Sequence, residues 1–137
     1  MLDFFLVALG GGLGSVARFG ASQIFGASPG VYTILGINLL GSYIMGAVMP
    51  WSSAQKQRGR SFLGVGVLGG FTTFSTFILE MYGLAHGPGF MQAFIYGVGG
   101  LGCGLGACWA GAFSFSLLNA RYDRAEPETE LENEEIS

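Results

Sequence analysis

Charge is nearly absent from two long stretches of this chain, and this constrains its fold more than any other feature. Residues 4–55 contain one charged residue, Arg18, and residues 61–120 contain one, Glu80. In an average soluble domain about a quarter of the residues are charged, whereas only 11% of this 137-residue chain is charged. A soluble protein of this size could not cover its surface with so few charges. The sequence therefore predicts a membrane protein.

Four apolar runs are each long enough to cross a bilayer, since a hydrocarbon core about 30 Å thick requires roughly 20 residues of helix. The predicted spans are Leu2 to Phe25, Val31 to Trp51, Phe62 to Ala85 and Phe90 to Leu118. The predicted connections are Gly26–Gly30, Ser52–Ser61 and His86–Gly89. The expected fold is all-α, with one four-helix transmembrane domain over residues 1–120.

Residues 121–137 differ in composition from the rest of the chain. They include six glutamates, and from Ala125 onward the segment has Pro127 and almost no apolar content. A segment of this kind cannot bury enough apolar surface to fold. We predict an acidic, disordered C-terminal tail. Because the tail supplies most of the negative charge, the net charge of −3 says nothing about an acidic partner, and no nucleic-acid partner is expected.

The distribution of basic residues between the loops predicts the orientation. With four spans, the N-terminus, the second loop and the tail share one side of the membrane. That side carries five basic residues: Lys56, Arg58, Arg60, Arg121 and Arg124. The first and third loops contain no Lys or Arg. By the positive-inside rule both termini are expected in the cytoplasm, unless the protein inserts in both orientations. The expected location is the cell (inner) membrane, which the chain crosses several times.

The third span contains the most unusual local sequence, GGFTTFSTF over Gly69–Phe77. Two glycines followed by two threonines make a poor helix, since Gly costs about 1 kcal/mol relative to Ala. Broken helices persist at membrane depth where the freed backbone groups line a cavity or bind an ion. We therefore expect a break here, with carbonyls of residues 69–72 available to a cation.

Two aromatic residues follow this break. Phe74 and Phe77 are three residues apart and so project from nearly the same face of a helix. The edge of an aromatic ring is electropositive, so two ring edges in a narrow passage could assist a small, hard anion. The alternative is that both rings pack the bundle or face lipid.

Polar residues inside the other spans are functional candidates, because ionisable groups are costly at membrane depth. Arg18 either extends to the interface or provides a positive charge at a pore mouth. Glu80 is either a structural acid near the end of its span or part of a path for ions. Asn38, whose helix face continues through Ser42 and Gly46, is either a link between helices or a pore residue.

Taken together, these residues resemble the Fluc (CrcB) family of fluoride channels over about residues 4–118. The core of the resemblance is Gly69–Phe77 followed by Glu80, supported by GGLGSVAR at Gly11–Arg18 and NLLG at Asn38–Gly41. The resemblance implies an antiparallel, dual-topology dimer with two pores. It also implies passive export of cytoplasmic fluoride with strong rejection of chloride, which lowers fluoride toxicity.

The resemblance further implies roles for individual residues. The rings of Phe74 and Phe77 would line the pores with Asn38 beside them, and Arg18 would lie near an entrance. Glu80 and Tyr96 would begin a polar track. The full implied pore or anion set is Phe74, Phe77, Asn38, Arg18, Thr76, Ser75, Glu80 and Tyr96. The backbone carbonyls of Gly69 and Thr72 would hold a structural Na⁺ at the dimer interface.

Three features depart from the family pattern. Ile34 replaces a threonine, and Gly100 and Gly104 stand where the polar track would continue with serine or threonine. The loop charge bias also disfavours insertion in both orientations. The intact core motif favours a homodimer, while the departures favour a heterodimer with an oppositely oriented homologue. Both remain open from the sequence.

Other functional classes fit the sequence less well. A small four-helix proton-coupled antiporter needs an acid within its first span, where this chain has only Arg18 and the terminal Asp3. An enzyme is not expected, because the chain has one His, in a turn, and one Lys, and the spans contain no acid pair or metal-ligand cluster that could form a nucleophile–base pair or a zinc site. A non-transporting membrane subunit would leave the sequence of the third span unexplained.

Overall fold

A computed structural model describes residues 2–24, 30–49 and 58–135, and the regular structure within these ranges is helical. The elements are α1 (Leu2–Ile24), α2 (Val31–Val48), the π-helical segment α3 (Arg60–Leu68), α4 (Gly69–Phe71), α5 (Phe74–His86) and α6 (Phe90–Glu135). Elements α3, α4 and α5 follow one another closely and together form the third span.

The predicted all-α membrane fold is confirmed. Within the described ranges, four helices are long and apolar enough to cross a membrane: Leu2–Ile24, Val31–Val48, Arg60–His86 and Phe90–Ala120. The chain is therefore a multi-pass membrane protein. The predicted span ends at Phe25 and Trp51, and most of the connections Gly26–Gly30 and Ser52–Ser61, lie outside the described residues.

The fourth helix extends past its predicted end at Leu118. Its backbone is helical to Glu135, where the sequence predicts a disordered segment from residue 121. Once a helix is nucleated, each further residue adds a hydrogen bond at little cost, and Ala, Leu and Glu are good helix formers. No change in backbone conformation marks the predicted boundary at residue 120, and the division into domain and tail stays a prediction.

Most of the large apolar side chains point away from the centre of the chain. The buried hydrophobic set is small: Ile34, Ile37, Leu68, Phe77, Ala93 and Tyr96. Other large apolar residues, such as Phe5, Leu105 and Trp109, are exposed. Lipid tails are as apolar as leucine, so such side chains carry no penalty in a bilayer and helix association depends on close packing instead.

Glycines allow that close packing between α1 and the third span. Helix α1 runs along α3 and α4, and a Cβ at Gly66 would lie 3.0 Å from the Cα of Gly10. A Cβ at Gly14 would overlap the carbonyl oxygen of Val67. These glycines therefore permit close approach of the two backbones. Two glycines of α6, also four residues apart, instead have open space at the Cβ position: Gly102 and Gly106.

A second close contact joins α2 to α6, which also pack along each other. A Cβ at Gly46 would overlap the carbonyl oxygen of Cys108, and one at Gly111 would overlap the carbonyl oxygen of Tyr43. The two backbones therefore touch directly at these glycines. This contact holds α2 and α6 together on one side of the site described below.

Gly46→Ala is expected to lower the free energy of unfolding by about 2 kcal/mol, because overpacking against a backbone atom cannot be relieved by a side-chain rotation. The measurement is reversible unfolding in mixed micelles. Gly36→Ala in the same helix is the matched control, since a Cβ there meets nothing within 4 Å. Equal stability of the two variants would contradict the packing contact.

Candidate functional site

The third span breaks at two threonines. Helix α4 ends at Phe71 and helix α5 begins at Phe74. Between them, Thr72 has φ −74° and ψ 153°, and Thr73 has φ −143° and ψ 115°. Both are extended, so the helical hydrogen-bond ladder is interrupted in the middle of the span. The predicted break is confirmed.

The position of the break corrects the sequence-based reasoning. Gly69 and Gly70, which were expected to cause it, are helical. A Cβ at Gly70 would overlap the carbonyl oxygen of Gly11, so this glycine permits close contact with α1. The break begins two residues after Gly70 because a side chain from α2 binds the backbone there.

That side chain is Asn38. Its Nδ2 donates to the carbonyl oxygen of Thr73 at 3.0 Å, and its Oδ1 accepts from the Thr73 N–H at 2.8 Å. One amide thus satisfies both backbone polar groups of a buried residue that has left the helix. Asn38 thus links two helices, as one of the two interpretations holds. It also lines the cavity described below, and its role as a pore residue stays a prediction.

Thr73 also begins the next helix. Its Oγ1 accepts from the Thr76 N–H at 3.2 Å, which is the usual bond of an N-cap threonine. The same oxygen lies 3.0 Å from Thr76 Oγ1 and 3.3 Å from Ser75 Oγ. Sequence reasoning did not single out Thr73, although a threonine just before an apolar helical run is an N-cap signal. Ser75 and Thr76 therefore belong to a hydroxyl cluster around the cap.

The carbonyl groups of Gly69 and Thr72 are among those that lose their helical partners at the break. In an unbroken helix the carbonyls of Gly69 and Thr72 would accept from the N–H groups of Thr73 and Thr76. Those N–H groups donate instead to Asn38 Oδ1 and Thr73 Oγ1. The two carbonyls without these helical donors are the ones that the resemblance assigns to Na⁺, and unwound carbonyls of this kind suit such a cation.

A partly open cavity of about 380 Å³ lies beside the break, between α2, α5 and α6. Its lining includes Asn38, Phe74 and Phe77, together with Ser42 and Gly104. The structure thus brings three of the predicted pore residues to one cavity. Among the described residues, five other predicted pore residues do not line this cavity: Arg18, Ser75, Thr76, Glu80 and Tyr96.

The two phenylalanines occupy different environments. Their ring centroids are 6.1 Å apart with an interplanar angle of 27°. The Phe74 side chain is 67% exposed, whereas that of Phe77 is 4% exposed. Phe77 also packs against Tyr96 in a tilted arrangement, with ring centroids 4.7 Å apart. Phe74 therefore lies at the open part of the cavity and Phe77 at its closed end.

Gly100 makes room for the Phe77 ring. A Cβ at residue 100 would lie 2.7 Å from Cε2 and 3.0 Å from Cζ of that ring. The departure at this position therefore has a steric reason, because serine would collide with the ring. The same is not true of Gly104, where the nearest atom to the Cβ position is Ser42 Oγ at 3.8 Å.

Tyr96 lies behind Phe77. Phe77 lines the cavity and Tyr96 does not, and because the two rings are in contact, the Phe77 ring lies between the tyrosine and the cavity. The Tyr96 hydroxyl is buried and has no hydrogen-bond partner among the described residues. Ile34, in place of the threonine expected there, belongs to the same buried cluster. Glu80 is half-buried on α5.

Arg18 lies apart from this cavity. It is half-buried on α1, which packs along α3 and α4. A single chain therefore does not bring the arginine to the cavity that Phe74 and Phe77 line. The predicted pore residues thus divide into three that line the cavity and five that do not. Of those five, Tyr96, Ser75 and Thr76 contact residues of its lining.

Comparison with known proteins shows which family this chain resembles. A family model described as CrcB-like protein, Camphor Resistance (CrcB) matches residues 5–112. A relative from Gloeobacter violaceus named fluoride-specific ion channel FluC is 41% identical over 119 residues, which cover 82% of this chain and 95% of the relative. A relative of the same name from Caulobacter sp. strain K31 is 40% identical over 119 residues, covering 81% of this chain and 92% of the relative.

Proposed function

Since this chain belongs to the CrcB family, we propose that it is a fluoride-specific ion channel through which cytoplasmic fluoride leaves the cell passively. The observation that carries the proposal is the broken third span, with Phe74 and Phe77 beside one cavity. The names of its relatives favour a channel over an antiporter or a non-transporting subunit. The family is one of channels rather than enzymes.

The break creates two helix ends of opposite polarity. The first N–H groups of α5 lack helical acceptors, and a helix N-terminus favours an anion. Fluoride loses water in a narrow passage at a high cost. The electropositive edges of Phe74 and Phe77 would offset part of that cost just beyond the helix start. Phe74 would meet the ion at the open part of the cavity and Phe77 at its closed end.

The carbonyls of Gly69 and Thr72 would hold a structural Na⁺. Their helical donors are used elsewhere, and both lie near the C-terminal end of the continuous helical stretch formed by α3 and α4, where the backbone dipole favours a cation. A bound Na⁺ would supply a fixed positive charge at the break. It would also hold the two carbonyls in one geometry. The two hydrogen bonds between Asn38 and Thr73, called the clamp below, would support the same geometry.

A second, oppositely oriented subunit would complete the pore. Support comes from the exposure of Phe74, which is 67% exposed in the single chain, and from the position of Arg18 away from the cavity. An antiparallel dimer would place side chains of one subunit over the open cavity of the other and form two pores. The intact core motif favours a homodimer. The loop charge bias favours a heterodimer in the inner membrane. In that heterodimer this subunit would keep both termini in the cytoplasm.

Fluoride efflux from liposomes tests this proposal. The purified protein is expected to release trapped fluoride, measured with a fluoride electrode, and not trapped chloride. Release by the pure protein supports a homodimer. No release alone, with release restored by adding an oppositely oriented homologue, supports a heterodimer. No release in either case, or equal release of chloride, would contradict the channel assignment.

A further inference from the structure

Ser42 on α2 faces Gly104 on α6 across the cavity. Both residues line the cavity, and the Ser42 Oγ lies 3.8 Å from the position that a Cβ at residue 104 would take. A hydroxyl on residue 104 and the hydroxyl of Ser42 would thus occupy the same part of the cavity. The group that Gly104 cannot provide is present on the opposite helix.

The Ser42 hydroxyl is not used within its own helix. Three other helical serines donate to a carbonyl three or four residues earlier, at 2.7 to 2.8 Å: Ser22, Ser114 and Ser116. Ser42 Oγ makes no such bond and has no other hydrogen-bond partner among the described residues. Its donor is therefore available to a ligand in the cavity.

We propose that Ser42 Oγ–H is a fluoride-binding donor in this cavity, one helical turn beyond Asn38. The proposal rests on the proposed channel function, because it assigns a further position to the same ion. Gly104 lies one helical turn after Gly100 on α6. An ion that leaves the position beside Phe77 and Gly100 would therefore next reach Ser42 and Gly104. Ser42 would thus take the place of the α6 hydroxyl that the resemblance implies.

The surroundings make a single donor important. Most of the cavity wall near Ser42 is apolar: Leu39, Met45, Leu101 and Leu105. An ion without water in such surroundings has few partners, and an unpaired charge there is costly. Hydrogen bonds from a hydroxyl to an anion are short and strong. A donor at Ser42 would therefore lower the barrier to fluoride more than a donor at a wet surface would.

The hydroxyl can be moved across the cavity to test this role. We expect Ser42→Ala to slow fluoride efflux by about tenfold, the effect expected for losing one hydrogen bond to a charged group. Adding Gly104→Ser to Ser42→Ala is expected to restore most of the rate, since the space at residue 104 admits a hydroxyl. Gly100→Ser in the same background is the matched comparison and is expected not to restore it, because Phe77 occupies that space.

Ser116→Ala is the control for general loss of a hydroxyl, since Ser116 donates to the Phe113 carbonyl of its own helix at 2.8 Å. Its efflux rate is expected to equal that of the wild type. If wild type conducts and Ser42→Ala conducts equally well, this inference alone is wrong. If Gly104→Ser fails to restore the rate, Ser42 acts through structure rather than as a donor. No efflux from wild type, with or without a homologue, would overturn the channel proposal and this inference together.

Discussion

Phe74→Ile is expected to reduce fluoride efflux to the rate of protein-free liposomes while leaving the stability of the protein unchanged. Isoleucine is also large and apolar, but it has no electropositive ring edge to offer an anion. The Phe74 side chain is 67% exposed in the single chain, so little intramolecular packing is lost. The measurements are efflux with a fluoride electrode and unfolding in mixed micelles.

Phe77→Ile is expected to abolish efflux as well, but with a lower free energy of unfolding. This ring is 4% exposed and packs against Tyr96, so a smaller side chain leaves a cavity and costs about 2 kcal/mol. The pair of variants therefore separates the role of the rings in the pore from their role in packing, since only one of the two rings is buried.

Phe94→Ile is the matched control for both variants. Phe94 is an exposed aromatic residue on α6 that does not line the cavity. Efflux through this variant is expected to equal that of the wild type. Fluoride efflux that survives both Phe74→Ile and Phe77→Ile would show that these rings do not line the pore. Loss of efflux in Phe94→Ile would show that the assay reports general damage.

Asn38→Leu is expected to lower the free energy of unfolding by about 4 kcal/mol and to abolish fluoride efflux. Leucine is similar in size but leaves the N–H and the carbonyl of Thr73 without partners. Each buried polar group left unpaired costs about 1 to 3 kcal/mol. Without the clamp the break loses its geometry, and the cavity and the freed carbonyls change with it.

Asn38→Asp separates the contributions of the two hydrogen bonds that Asn38 makes with Thr73. Aspartate keeps an acceptor for the Thr73 N–H but cannot donate to the Thr73 carbonyl when ionised. We expect this variant to lie between the wild type and Asn38→Leu in stability. Stability of Asn38→Leu within about 0.5 kcal/mol of the wild type, the range of neutral surface changes, would show that the clamp does not support the break.

The break illustrates how far sequence reasoning reaches. The pattern of Gly69–Phe77 correctly predicts that the third helix is interrupted, because helix propensity is local. It places the interruption too early, since Gly70 serves close contact with Gly11. The residue that positions the break is Asn38, which binds a residue 35 positions later in the chain. A propensity scale contains no information about such a partner.

The glycines of α6 illustrate the same limit. By sequence alone, Gly100 and Gly104 are equivalent, because each stands on the same helix face where a residue with a hydroxyl was expected. In the folded chain the first makes room for the Phe77 ring, and the second leaves space opposite Ser42. These roles differ because the neighbours on α5 and α2 differ, and the positions of those neighbours depend on how the helices pack.

Some properties of this protein follow from the sequence by itself. Four apolar runs nearly free of charge determine an all-α membrane fold, because the cost of placing charges and unpaired backbone in lipid depends on composition and length. Tertiary structure decides which backbone groups are freed, which rings share a cavity and which hydroxyl faces it. Those properties are distances between atoms on different helices, and they are determined only when side chains far apart in the chain come into contact.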